Sequence, residues 1–385
     1  MRKNKTLNIF SVVFGIFMMG ANAVTIIIPM RLADQGLSYT GIGAAMSMVA
    51  VGMVIVKPII GRHSDLIGQK AYLLFALVLG IITMILMSLS SSLISYVVLN
   101  CCFGISRGIF TSVTSSYTVA ISDNGKLGSS FGSVVGISTL FTCLGGILAG
   151  ILYPIHYGSI ALFIIAAIYV CSFFITFKWL PDTKNKNQKL ISVNLFRGMD
   201  KHIYIFCIIA FIQQFTTGPL WSTFVPLHFY LTFAFSSTLV GGLMSLDELI
   251  GSPTSFFAGN MSDRISNRSF LSMSFGLAGV TSVCLLFANS PMPFLVLFLI
   301  CGIFVTCTQI ALPKAASSYM RNDSKGFEFA IISMCAGLGD GLGNSILGKI
   351  IKETSIKYAV ITFCLTYLLI FVISFYSTKE DKALS

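Results

Sequence analysis

The sequence predicts an all-α membrane protein with twelve transmembrane helices in two pseudo-symmetric six-helix bundles. Three observations predict this class. Of the 385 residues, 55% are hydrophobic and 10% are charged, whereas soluble domains contain about 25% charged residues. Apolar runs of membrane-spanning length fill nearly the whole chain. One charged turn also occurs twice, about two hundred residues apart.

The apolar runs define the individual helices, because a transmembrane helix needs about 20 predominantly apolar residues. The predicted spans are 7–29, 40–61, 71–90, 93–120, 128–153, 158–180, 203–230, 236–259, 269–289, 292–314, 326–348 and 356–377. The first run continues to Pro29 without a small-residue cleavage site. It is therefore predicted to be a retained span and not a cleaved signal peptide.

One long polar segment, "PDTKNKNQKLISVNLFRGMDKH", separates six spans from six. The predicted parts are a first bundle at residues 1–180, a cytoplasmic linker at 181–202 and a second bundle at 203–385. Internal duplication of this kind is typical of transporters, in which the substrate binds between the repeats and their rocking gives alternating access.

The net charge of +11 is explained by topology. With a cytoplasmic N-terminus, 19 Lys and Arg residues fall on the inner side and 4 on the outer side. The positive-inside rule then predicts a plasma-membrane protein with both termini cytoplasmic. The basic excess therefore indicates no nucleic-acid surface.

Neither enzymatic chemistry nor a bound cofactor is predicted. The ten cysteines are scattered without a CxxC pair or metal-ligand spacing, so we expect buried thiols and no metal site. The sequence contains no phosphate-binding loop and no nucleophile–base constellation. Direct use of ATP is therefore not expected.

The duplicated turn reads "GRHSDLIGQK" at 61–70 and "GNMSDRISNR" at 259–268. Both copies resemble the loop between the second and third spans of the major facilitator superfamily. The matching residues are Gly61, Asp65, Gly68 and Lys70 in the first copy, and Gly259, Asp263, Arg264 and Arg268 in the second. Ser266 replaces the second glycine. The resemblance implies the major facilitator fold and a gating loop; alternatively, the charges only terminate spans.

The fifth span resembles in part the antiporter signature of drug/proton exporters. Gly132, Gly145 and Gly150 match its glycines. These glycines also allow close helix packing, which is the alternative reading. A looser likeness to metallophore and opine exporters rests on "GANAVTIIIPMRLADQG" in the first span and "MCAGLGDGLGNSILG" in the eleventh.

The fourth span departs from the exporter pattern. It carries Asn100 where exporters usually have an arginine implicated in proton coupling, and Arg107 lies about two turns further along. Proton coupling is therefore implied by the family resemblance and not by a matching residue.

Four ionisable residues are predicted near mid-membrane, where such side chains are costly and face a cavity or a partner. They are Arg107, Asp247, Glu248 and Asp340. Since Arg107 lies in the first half and the carboxylates in the second, we expect a cavity with a basic and an acidic side. Ion pairing that only fixes helix packing is the alternative. Asn22, Asn100, Gln213, Gln214 and Trp221 are candidate cavity residues, or else form interhelical contacts.

The function predicted from these features is proton-coupled efflux of a small amphiphilic or zwitterionic compound, such as a drug or metallophore. Proton-coupled import of a sugar or organic acid is the first alternative, and a membrane sensor that transports nothing is the second. The predicted partners are a small-molecule substrate, protons and the lipid bilayer, with the chain as a monomer.

Overall fold

The computed structural model describes residues 2–121, 127–182, 199–288, 290–320 and 325–377. The helices are α1 (Arg2–Asp34), α2 (Tyr39–Ile67), α3 (Gln69–Leu89), α4 (Leu93–Ile121), α5 (Leu127–Leu152), α6 (Ser159–Trp179), α7 (Lys201–Pro219), α8 (Val225–Leu231), α9 (Ser237–Arg264), α10 (Asn267–Phe287), α11 (Pro291–Ser317), α12 (Lys325–Glu353) and α13 (Ile356–Ser377). A 3-10 turn at His156–Gly158 precedes α6, and a π-helical segment at Leu220–Phe224 joins α7 to α8. The predicted all-α, twelve-helix fold is confirmed, with α7 and α8 forming one interrupted helix.

Within the described ranges, ten helices are long and apolar enough to cross a membrane. The long helices α9 and α12 are not among these ten. Both contain acidic residues in mid-helix, namely Asp247 and Glu248 in α9 and Asp340 in α12.

The chain forms two compact units. The first comprises Met1–Leu190 and Tyr230–Glu248, and therefore contains α1 to α6 with the first part of α9. The second comprises Ile191–Phe229 and Leu249–Ser385. The domain boundaries derived from the linker stay a prediction, and residues 183–198 of that linker lie outside the described residues.

Glycines let helices pack closely within each unit. In the first unit α1 packs on α5, and a Cβ added at Gly145 would overlap the backbone carbonyl of Met19. In the second unit α7 packs on α12, and a Cβ added at Gly343 would overlap the carbonyl of Phe215. Gly145 and Gly343 are 198 residues apart. The same backbone contact is therefore built once in each half.

Two fully buried tyrosines, also 198 residues apart, lie at equivalent places. The Tyr169 hydroxyl donates to the carbonyl of Phe17, at 2.6 Å. The Tyr367 hydroxyl is hydrogen-bonded to the hydroxyl of Thr217, also at 2.6 Å. Each tyrosine thus fills core volume while its polar end is satisfied.

Arg31, near the end of α1, is 8% exposed and caps a helix. Its guanidinium donates to the carbonyls of Met87, Ser88 and Ser90, at 3.3, 3.1 and 3.1 Å. The last carbonyls of α3 have no partners within the helix, and a cation is favoured at that end. The guanidinium also lies 5.8 Å from the ring centroid of Tyr96. Arg31 is therefore part of the packing of α3.

An aromatic pair occupies the equivalent positions of the second unit. Phe229 packs edge-to-face on Phe294, with ring centroids 5.7 Å apart. These positions follow Arg31 and Tyr96 by 198 residues each. The neighbouring His228 also packs on Phe294, with ring centroids 5.3 Å apart. The second half thus has ring contacts where the first half has a charged cap.

Candidate functional site

The first copy of the charged loop connects α2 to α3. Gly68 has a φ of +115°, and a Cβ added there would lie 2.5 Å from Oδ1 of Asp182. Because α3 begins at Gln69 and a helix N-terminus favours negative charge, the Asp182 carboxylate stabilises the start of α3. Gly68 is needed here both for its backbone conformation and for the space that the carboxylate occupies.

The basic residue of the same loop caps another helix. Lys70 Nζ donates to the carbonyl of Phe177 at 2.7 Å and lies 5.6 Å from its ring centroid. Since α6 ends at Trp179, Lys70 neutralises the C-terminal turn of α6. Gly61 and Asp65 lie within α2, but their side chains are outside the described residues. Their gating role stays a prediction.

The second copy, between α9 and α10, uses different caps. The Ser266 side chain accepts a hydrogen bond from the backbone N–H of Ser269 and so caps α10. The Arg268 guanidinium lies 4.4 Å from the ring centroid of Phe375, near the end of α13. Lys70 with Phe177 and Arg268 with Phe375 are again separated by 198 residues. Both loops therefore bind the end of the last helix in their own half.

The other predicted residues of the second loop contribute less to its packing. Arg264 is exposed. A Cβ added at Gly259 meets no atom within 4 Å among the described residues. The side chain of Asp263 lies outside the described residues, so its predicted role is untested.

The first unit brings together Arg107 of α4 and Glu248 of α9. The Arg107 guanidinium lies within electrostatic range of the Glu248 carboxylate. Arg107, Glu248 and the adjacent Asp247 are all partly buried. Consecutive residues of a helix point about 100° apart, so Asp247 and Glu248 face different surroundings.

The second unit places Asp340 in a polar cluster between α12 and the π-helical segment. Asn344 Nδ2 donates to the carbonyl and to Oδ1 of Asp340, at 3.0 and 3.1 Å. Thr223 donates to Asn344 Oδ1 at 3.1 Å. A Cβ added at Gly218 would overlap Asp340 Oδ1 and lie 3.3 Å from Gln214 Oε1. The Asp340 and Gln214 side-chain oxygens therefore both lie beside the Gly218 backbone.

Three of the candidate cavity amides make interhelical hydrogen bonds. Asn22 donates to the carbonyl of Thr142 at 2.8 Å, Asn100 to that of Ala45 at 2.9 Å, and Gln213 to the hydroxyl of Thr308 at 2.8 Å. Asn100 and Gln213 are 0% and 1% exposed. These contacts fit the packing alternative, and a cavity role for the three residues stays a prediction.

Trp221 lies in the π-helical segment and packs against two phenylalanines. Its ring centroid is 5.0 Å from that of Phe298 and 5.4 Å from that of Phe363. This position makes Trp221 part of an aromatic cluster next to the polar groups around Gly218.

The antiporter-like glycines lie at packing positions where they are described. Gly145 contacts the α1 backbone, as given above. A Cβ added at Gly150 would lie 2.8 Å from the carbonyl of Ser237 and 3.1 Å from Cα of Gly241, both in α9. The surroundings of Gly132 lie outside the described residues. A specific role of these glycines in antiport stays a prediction.

Several residues of the Asp340 cluster were not predicted from the sequence. Gly218, Thr223 and Asn344 are among them, together with the π-helical segment. Two signals pointed to them. Asn344 follows Asp340 by four residues and so shares its helix face. Pro219 lacks the N–H that would bond the carbonyl of Phe215, and such a break favours an irregular turn.

Twelve long helices with charged and amide side chains at mid-helix are typical of a membrane protein that moves polar solutes. The family comparison agrees, because the profile of the Major Facilitator Superfamily matches residues 10–197 and 205–384. The chain belongs to the Major Facilitator Superfamily and is a multi-pass membrane transporter.

Solved structures share this fold at low sequence identity. A mutant of the nucleoside transporter NupG has a TM-score of 0.82 at 13% identity, with 97% of this chain and 99% of that chain covered. A D-xylose–proton symporter has a TM-score of 0.81 at 14% identity, with 99% of each chain covered. The human organic anion transporter MFSD10 (TETRAN) has a TM-score of 0.73 at 14% identity, with 97% of this chain and 99% of that chain covered. No curated protein sequence matches the chain.

Proposed function

We propose that the protein exports a small amphiphilic or zwitterionic compound in exchange for protons. The observation that carries this proposal is that Arg107 and Glu248, both partly buried in long helices of the first unit, lie within electrostatic range of each other. Charges at this depth are costly, and transporters use them in substrate sites and proton relays. The pair offers one group for the anionic end of a zwitterion and one for its cationic end.

Antiport follows if Glu248 holds either a proton or the cationic group of the substrate. An ionised Glu248 binds the cationic group, and protonation removes the charge that holds it. The two ligands then exclude each other, so inward movement of a proton is coupled to outward release of substrate. Arg107 selects substrates that also carry an anionic group. The proton gradient supplies the energy.

Proton-coupled import is the second candidate function. The same pair supports it, because protonation of Glu248 would release Arg107 to bind an anionic substrate together with the proton. The likeness to a D-xylose–proton symporter and a nucleoside transporter is compatible with this direction. A sensor without transport is less favoured, because charged side chains inside the spans and two duplicated loops are not needed for sensing alone.

The proposal includes the cellular setting predicted from the sequence. The transporter acts as a monomer in the plasma membrane, with both termini in the cytoplasm. Its partners are the substrate, protons and the lipid bilayer.

The test uses proteoliposomes with an imposed pH gradient and a trapped pH-sensitive dye. Cationic drugs, zwitterionic chelators and sugars are added in turn, and labelled substrate is followed in parallel. We expect one amphiphilic or zwitterionic class to drive proton movement in the wild type, with loss in Glu248→Gln. Asp247→Asn, which removes the neighbouring carboxylate, is measured in parallel and shows which of the two carboxylates carries the coupling.

The outcomes separate the candidates. Substrate and proton moving in opposite directions supports export, and movement in the same direction supports import. Substrate that crosses without protons contradicts coupling and makes the protein a facilitator. Loss of coupling in Asp247→Asn but not in Glu248→Gln would reassign the role to Asp247.

A further inference from the structure

A second polar site lies in the other unit, where α7 passes into the π-helical segment and packs on α12. Its members are Gln214, Gly218, Thr223, Asp340 and Asn344. The first three belong to the interrupted α7–α8 helix and the last two to α12. Hydrogen bonds join Thr223 to Asn344 and Asn344 to Asp340, and oxygens of Asp340 and Gln214 both approach Gly218.

The buried members hold the carboxylate in one orientation. Thr223 and Asn344 are 0% and 3% exposed. Because the Thr223 hydroxyl donates to Asn344 Oδ1, the amide nitrogen of Asn344 faces Asp340 and donates to Oδ1. If the Asn344 amide were rotated by 180°, its oxygen would face the Asp340 carboxylate, and two acceptors would meet. The network therefore fixes the orientations of the Asn344 and Asp340 side chains.

The remaining members are less buried than Thr223 and Asn344. Asp340, Gln214 and Gly218 are each partly buried. Asp340 Oδ1 lies where a Cβ of residue 218 would be, and Gln214 Oε1 lies 3.3 Å from the same position. Two acceptor oxygens therefore converge beside a glycine that provides the space for them.

The corresponding contact in the first unit has Thr142 at the position 198 residues before Asp340. There α1 packs on α5, as α7 packs on α12 in the second unit, and the Asn22 side chain donates to the carbonyl of Thr142 at 2.8 Å. The close helix contact therefore forms in the first unit without a carboxylate at this position.

We infer that this site binds a small monovalent cation through Asp340 Oδ1 and Gln214 Oε1. One carboxylate and one amide oxygen are hard ligands, and their single negative charge matches a single positive charge. The cation is either Na⁺ or the ammonium group of the transported compound. The ammonium source rests on the proposed function, whereas the Na⁺ source is independent of it.

Trp221, which lies in the π-helical segment, provides a direct readout. The chain has two tryptophans, and Trp179 is 53% exposed near the end of α6. Trp179→Phe therefore leaves Trp221 as the only tryptophan. Emission from the purified full-length protein in detergent is followed while NaCl, or methylammonium chloride, replaces choline chloride at constant ionic strength. We expect a saturable change with at least one of these two cations.

Two variants test the site itself. Asp340→Asn removes the charge, and Gly218→Ala places a Cβ where Oδ1 lies. Both should weaken the apparent affinity roughly tenfold to a hundredfold, the effect of losing a hydrogen bond to a charged group. Gly242→Ala is the matched control, because among the described residues no atom lies within 4 Å of its added Cβ. Thermal unfolding of each variant checks that it folds, and Gly218→Ala keeps the test valid if Asp340→Asn does not.

The results decide both the site and its ligand. A response to Na⁺ alone assigns a metal ion, and a response to methylammonium alone assigns the ammonium group. Either response must be lost in Asp340→Asn or Gly218→Ala and kept in Gly242→Ala. No response to either cation, or one that both site variants retain, overturns the inference. The assay uses no pH gradient, so its outcome is separate from a failure of proton coupling.

Discussion

The two halves of the chain form equivalent contacts at positions 198 residues apart, and the differences between them are informative. Lys70 with Phe177 and Arg268 with Phe375 form the same cation–aromatic contact. Contacts that hold a loop to the end of a helix thus occur in both halves with the same chemistry.

Other equivalent positions use different chemistry for the same task. The start of α3 has Gly68 with the carboxylate of Asp182, whereas the start of α10 has the side chain of Ser266. Near the end of α3 the first half has the buried Arg31, and the second half has Phe229 at the equivalent position. Packing and capping therefore tolerate replacement, provided that the backbone groups stay satisfied.

The largest effect is expected where the halves differ most. Arg31→Met removes a charged donor from three carbonyls and should lower the free energy of unfolding by about 3 kcal/mol or more. Phe229→Met, at the equivalent position, keeps an apolar side chain and should cost about 1 kcal/mol. Thermal and denaturant unfolding of the purified protein in detergent measure both. Equal losses of unfolding free energy in the two variants would mean that Arg31 stabilises the fold by filling space and not by hydrogen-bonding the end of α3.

A moderate effect is expected at the helix starts. Gly68→Ala combines a positive φ with a clash against Asp182, and should cost about 1–2 kcal/mol. Ser266→Ala loses only an N-cap, which is worth about 1 kcal/mol. Adding Asp182→Ala to Gly68→Ala should recover part of the loss, because it relieves the clash but not the backbone strain. A double variant whose loss is the sum of the two single losses would contradict the contact.

The smallest effect should come from the contact that both halves share. Lys70→Met and Arg268→Met each remove a cation from an aromatic ring near a helix end, and should cost about 0.5–1 kcal/mol. The same unfolding measurements apply. The expected result is two similar losses, and a large difference would show that the duplicated contact has diverged in strength.

Much of the fold could be predicted because apolar run length encodes it directly. All twelve predicted spans coincide with helical segments, and the duplicated loops lie at equivalent connections. The sequence could not reveal the partners of Lys70 or Arg31, because each lies more than fifty residues away. For Lys70, one indirect signal exists: residues 177 and 375, which are 198 residues apart like Lys70 and Arg268, are both phenylalanine.

The candidate site was only partly predictable. The costly charges Arg107, Glu248 and Asp340 stand out in apolar runs, but their neighbours do not. Glu248 lies within electrostatic range of Arg107, which depends on the rotation of α9 within the fold. Thr223 and Asn344 are ordinary polar residues in sequence, and only the π-helical segment brings one to the other.

The burial of Arg31 also has a consequence for biogenesis. Its three carbonyl partners are 56 to 59 residues further along the chain. At about 5–20 residues per second, the ribosome completes that stretch roughly 3–12 s after Arg31. During this interval Arg31 lacks these three carbonyl partners, and the final placement of α1 waits until α3 has been synthesised.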